Sequence, residues 1–74
     1  MAAAYRPPEE SLKIKENIER RMGELQLSGP TVAGLAGIPL TTWYRGYADP
    51  DEFSVRNLRK VAGALDSTLA ELVR

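Results

Sequence analysis

The chain has 74 residues, neither Cys nor His, and ten basic residues against ten acidic ones, for a net charge of zero. That length makes one domain with a thin core, burying about 60 % of the surface its unfolded form exposes; the missing residue types exclude disulfides, a Cys/His zinc site, a Cys nucleophile and a His general base. No apolar run is long enough to span a membrane, and the first residues lack the apolar core of a secretion signal, so a cytoplasmic location without a membrane partner is expected.

Residues 1–8 read as a flexible N-terminal arm in which Pro7-Pro8 keeps the backbone extended, with Tyr5-Arg6 as a pair able to follow a groove. Residues 9–74 read as the folded domain. Ile14, Ile18, Met22 and Leu25 recur at spacings of four, four and three, the period of one helix face, and predict helix 1 over 9–26. Its other faces are charged. Glu16 and Arg20 are spaced to pair, and Arg20-Arg21 reads as part of a solvated surface.

Ser28-Gly29-Pro30 is a break followed by a start, because Ser or Gly can cap and Pro suits the first helical turn. Helix 2 then covers 30–36 with Val32, Leu35 and Ala36 on its apolar side, and Gly37 ends it as a left-handed glycine. Helix 3 is predicted at 39–47. Asp49-Pro50-Asp51-Glu52 is a turn. Ser54 caps helix 4, predicted at 55–65, with Phe53 placed to staple onto Leu58 and with Val55, Leu58, Val61, Ala62 and Leu65 as its stripe. Thr68 and Glu71 have capping-box spacing and open a last helix at 69–73. Leu69, Leu72 and Val73 there suit either the core or a dimer seam. No strand signal interrupts the series, so the expected fold is all-α with five helices.

Two short helices joined by a turn containing Gly form the helix-turn-helix unit. Ala33 is small enough for helix 3 to cross helix 2 closely, and Gly37 takes the positive φ of the turn without the cost of about 1 kcal/mol or more that a Cβ brings. Val32, Ile38 and Trp43 are the apolar residues that fix the pair to the core, Trp43 being a core residue rather than a base-stacking platform. From Leu25 to Ala48 there is no acidic residue, while Glu9–Glu24 and Asp49–Glu52 hold eight of the ten acids. A phosphate backbone could approach the middle of the chain without meeting carboxylates, although the zero net charge is unlike the basic excess of most nucleic-acid binders.

Val32-Ala33, Ala36-Gly37-Ile38, Thr41-Thr42-Trp43-Tyr44-Arg45, Ser54-Val55, Leu58, Val61-Ala62, Ala64-Leu65 and Thr68-Leu69 with Glu71-Leu72 together carry a resemblance. From Ile14 to Leu72 the chain resembles the lambda-repressor-like family, the Cro/repressor (XRE) helix-turn-helix domains. The resemblance implies a five-helix DNA-binding domain that sets helix 3 in the major groove and lays helix 2 across the backbone. Carried over by position, the base-edge residues are Leu40, Thr41, Tyr44 and Arg45, and the phosphate contacts are Thr31, Thr42 and Asn57. Arg45 could grip guanine, while Leu40 is limited to apolar features such as a thymine methyl.

The chain departs from the family pattern at Pro39 and Leu40, where a polar start to helix 3 is usual, and in the acids of the following loop. Gly46 stands where a second core aliphatic belongs, so Tyr44 or Tyr47 is expected to fill that space; both tyrosines otherwise suit packing or phosphate contact.

The function implied is that of a Cro-like or minimal repressor, a sequence-specific transcriptional regulator whose partner is double-stranded DNA. A homodimer on a palindromic operator fits that class, with no cofactor and no small-molecule effector expected. Two rivals remain: a helix-turn-helix protein-interaction module of the antitoxin or adaptor type, and a DNA-architectural recombination accessory factor. Catalysis is not expected, since a five-helix domain of this size leaves little room for a pocket.

Overall fold

The computed structural model describes residues 9–74, so the arm expected at 1–8 lies outside them. Among the described residues there are five α-helices, one short 3-10 turn and no strand: α1 Glu9–Leu25, α2 Gly29–Ala36, α3 Leu40–Ala48, the 3-10 turn Pro50–Glu52, α4 Val55–Ala64 and α5 Leu69–Leu72. None of these helices is long and apolar enough to cross a membrane. Every expected helix is present within a residue or so of its predicted ends.

Local chemistry sets most of the boundaries. Ser28 caps α2 by accepting from the Thr31 amide at 3.3 Å, Ser54 caps α4 from the Asn57 amide at 3.0 Å, and Thr68 caps α5 from the Glu71 amide at 3.2 Å. Each such cap contributes about 1 kcal/mol. Gly37 ends α2 at φ 70°, ψ 35°, and the Ile38 amide reaches back to the Ala33 carbonyl at 3.1 Å. Gln26 and Asp66 follow α1 and α4 at φ 56° and 52°, so two further helices end on left-handed residues without being glycine. The loop 49–52 is tighter than a plain turn: Asp49 Oδ1 accepts from the Asp51 amide at 3.1 Å and caps the 3-10 turn.

The core joins Ile14 and Ile18 of α1, Val32 and Ala33 of α2, Trp43 of α3, Leu58, Val61 and Ala62 of α4, and Leu72 of α5, with Ile38, Phe53 and Leu65 from the connections. α2 packs most extensively on α4. Three apolar residues expected on inward faces are exposed instead: Leu35 at 62 %, Val55 at 56 % and Leu25 at 37 %. Val73, which suited either the core or a dimer seam, is 49 % exposed. α2 has only two turns and uses Val32 and Ala33 inward, which turns Leu35 to solvent; Val55 and Val73 sit at helix ends, beyond the reach of the packing. Leu72 joins the core and Leu69 packs partly against it.

α1 is tied to the rest of the chain by polar contacts that its sequence does not announce. Arg21 is not a solvated charge: its guanidinium donates to the Leu65 carbonyl from Nε at 3.1 Å and Nη2 at 2.9 Å, and to the Asp66 carbonyl at 3.1 Å. It thereby satisfies carbonyls at the end of α4 that lack helical partners. Asn17, one turn earlier, donates to the Leu72 carbonyl at 2.7 Å and does the same for α5. Ser11, fully buried, donates to Asp51 Oδ1. Arg21 also pairs with Glu24 at 3.1 Å, whereas the expected Glu16–Arg20 pair is not closed among the described residues. Arg21→Ala should cost about 1.5–3 kcal/mol, the range for hydrogen bonds to a charged group. Urea melts would read it as a lower midpoint at unchanged slope, with Arg21→Lys intermediate because one ammonium cannot reproduce the fork.

Candidate nucleic-acid interface

α3 is positioned by the turn 37–39 and by Trp43. The Pro39 carbonyl accepts from the Trp43 amide at 3.0 Å and starts the helix without any side-chain cap. Trp43 is 1 % exposed. Its ring stacks on Tyr47 with centroids 5.4 Å apart and meets Phe53 at 6.2 Å. Gly29 lies against the indole so closely that a Cβ there would sit 2.6 Å from Nε1. The first turn of α2 is therefore held against the middle of α3.

With Trp43 and Gly46 fixed inward, helical geometry decides what faces out. At about 100° per residue, Leu40, Tyr44, Ala48, Thr41 and Arg45 fall in that angular order within one sector of about 140°. All five are exposed. The four expected base-edge residues are thus brought together on one side of one helix, as two columns one turn long, Leu40 with Tyr44 and Thr41 with Arg45. α2 and α3 contain no acidic residue, and Arg45 has no ion pair among the described residues.

The expected phosphate contacts are more scattered. Thr31 is exposed in the first turn of α2, its hydroxyl 2.9 Å from that of Ser28. Thr42 is half-buried at the Arg45 edge of the α3 sector, and Asn57 is half-buried in the first turn of α4. The two tyrosines separate cleanly. Tyr44 is 55 % exposed, whereas Tyr47 is half-buried on Trp43 with the Lys15 ammonium 5.3 Å from its ring centroid. Burial raises the Tyr47 phenol above its usual 10, and the neighbouring Glu19 carboxylate adds to the shift by repulsion and by accepting its hydrogen bond. Tyr47 contributes to stability while protonated, so its contribution is complete below pH 10 and is lost as pH rises through the raised value.

The space opposite Gly46 is filled by neither tyrosine. The Phe53 ring lies directly over Gly46, where a Cβ would overlap its Cε1 and Cζ atoms. Phe53 was read from the sequence as a staple on Leu58; it joins the same core as Leu58 and also covers α3. The loop acids have structural work as well, Asp49 as a cap and Asp51 as the acceptor for Ser11. One further group escaped the sequence reading: Arg56, Arg59 and Lys60 are exposed on α4, a helix with no acidic residue. The signal available for them was the same absence of acids that marked α2 and α3. Among the described residues no cluster of acids could hold a metal ion.

The described residues define an all-helical domain with an acid-free, mixed apolar and cationic face on its third helix. No protein-family model, curated protein or solved structure matches the chain.

Proposed function

We propose that the chain is a sequence-specific DNA-binding regulator, with α2 and α3 as its helix-turn-helix and α3 as the helix that enters the major groove. The observation that carries this reading is the exposed sector of α3, where Thr41 and Arg45 supply a hydroxyl and a guanidinium beside Leu40 and Tyr44. Arg45 is suited to the O6 and N7 acceptors of guanine, and Thr41 to either donor or acceptor edges. An α-helix with its side chains is about 10–12 Å across, which suits a groove about 12 Å wide. Support also comes from the first turn of α2, which holds the exposed Thr31 hydroxyl, and from the exposed cations of α4, which have no ion pair among the described residues. Cro-like or minimal-repressor action follows from such a domain, since occupancy of an operator by itself blocks polymerase. Two copies on a palindromic site would place half-sites about one DNA turn apart.

The neutral net charge and the exposed Leu40 and Tyr44 favour a second reading, a protein-interaction module of the antitoxin or adaptor kind. Selection of bound sequences from a random duplex pool at low salt separates the two. The DNA reading expects a recovered consensus, symmetric if the protein binds as a dimer. It also expects affinity to fall by about 10³ or more between about 50 and 200 mM salt if six or more phosphates are contacted. Failure to retain any duplex at low salt would overturn it. Bending of the recovered site would mark an architectural factor. Within the consensus, Arg45→Ala should relax one base position at a cost of about 1–3 kcal/mol while the thermal melt stays unchanged; an unaltered consensus would remove Arg45 from the reading face.

A further inference from the structure

Leu40 and Tyr44 are the two most unusual members of the α3 face. They are 48 % and 55 % exposed, one turn apart, offset by about 40° around the helix and about 6 Å along it. Neither packs with the core, and Leu40 opens the helix next to an N-cap, Pro39, that makes no side-chain bond. The leading edge of the helix therefore presents no side-chain donor or acceptor at its first position. Apart from the Tyr44 phenol, which can reach a phosphate or a base edge, the apolar surface of such a strip has few partners in a major groove. Among the four bases only thymine places a methyl group there; every other groove-facing group is a polar donor or acceptor, or a plain ring C–H.

We propose that the half-site bound by this chain is thymine-rich on the side that meets Leu40 and Tyr44, and that these residues read it through the 5-methyl groups. The proposal rests on the DNA-binding reading above and adds to it the base class recognised. The two columns of α3 divide the reading. Leu40 and Tyr44 sense methyl groups, while Thr41 and Arg45 sense hydrogen-bonding edges about 100° further around the helix. A protein surface is the less favoured occupant of the strip. The same sector carries no acid, and Arg45 has no ion pair among the described residues, so a protein covering it would have to bring its own carboxylate, whereas a duplex brings phosphates and base acceptors already.

Deoxyuridine tests this directly, because uracil pairs with adenine as thymine does and differs only by the methyl. The full chain is used to recover a consensus from random duplexes, and each thymine in that consensus is then replaced singly by deoxyuridine. At one or two positions per half-site the affinity should fall about four-fold, the ratio that corresponds to about 0.8 kcal/mol for one buried methyl-sized group. Leu40→Ala should erase the uracil penalty at one of those positions, and Tyr44→Phe, which keeps the ring, should preserve the other. Both side chains are exposed, so neither substitution threatens the fold, and far-ultraviolet circular dichroism verifies this. If the consensus is recovered but every uracil duplex binds like its thymine parent, methyl reading is wrong and DNA binding stands. A penalty that persists unchanged in both Leu40→Ala and Tyr44→Ala is equally fatal to the assignment. If no duplex is retained at all, the DNA reading falls and this one falls with it.

Discussion

Trp43→Ala should lower stability by about 3–5 kcal/mol, the usual cost of removing a buried aromatic side chain. A domain of this size is stable by roughly 4–11 kcal/mol, so the loss takes from about a quarter of that stability at the high end to all of it at the low end. The large effect follows from what the ring touches. Trp43 is almost completely buried, stacks on Tyr47, meets Phe53 and is closed from the far side by Gly29. Its truncation opens a cavity shared by α2, α3 and the loop before α4, and no neighbour is free to move in. Trp43→Phe, which retains part of the volume, should lose less. Urea unfolding followed by circular dichroism checks both. A Trp43→Ala protein that melts like the parent would mean that the indole is not a core residue.

Gly46 supplies the second large effect, and here the structure and the pattern of the family that the sequence resembles disagree in sign. An aliphatic residue at this position is what the pattern asks for, so Gly46→Leu would be expected to improve packing. With the Phe53 ring seated over the glycine, the same substitution should destabilise by about 1–3 kcal/mol or more, because the ring is buried against Trp43 and cannot swing aside. Phe53→Ala alone should cost about 3–5 kcal/mol as a cavity. In the double variant Gly46→Leu/Phe53→Ala the new side chain occupies the vacated volume. Its cost should fall short of the sum of the single costs by an interaction energy within the usual 0.5–3 kcal/mol, so about that size here. Additive costs would show that the two positions do not share a space.

These two residues also mark how far the sequence could be read. The helix limits were legible because they depend on local chemistry: Ser54 and Thr68 cap with their own hydroxyls, and Gly37 takes a left-handed turn that few residues take cheaply. The long stripes of α1 and α4 were legible for a related reason, since several turns of periodicity average out single exceptions. Leu35 was not, because two turns of helix offer too few repeats to fix which flank is buried. The replacement of an α3 aliphatic by Phe53 was invisible because the compensating residue stands in another element. Arg21 and Asn17 were misread or missed because their partners are backbone carbonyls, and a carbonyl leaves no mark in the residue at which it sits. For the candidate interface, Leu40, Thr41, Tyr44 and Arg45 were named by the family resemblance, and helical spacing around the inward Trp43 sets them on one side of α3. The positions of Thr31, Thr42 and Asn57 relative to that face depend on tertiary packing, and spacing says nothing of it.

The ties made by α1 have a kinetic side. Asn17 and Arg21 reach residues 55 and 44 positions away, so α1 is secured by turns that lie far along the chain from it. Contacts of such separation carry a high loop-closure cost and tend to form after the local helices have assembled. Bonds made after the transition state restrain unfolding while leaving the folding rate nearly untouched. Loss of the Arg21 fork should therefore steepen escape from the native state, and the folding limb of the chevron should stay where it is. With that outcome the docking of α1 is a late latch, one that sets how long the face of α3 stays assembled once formed.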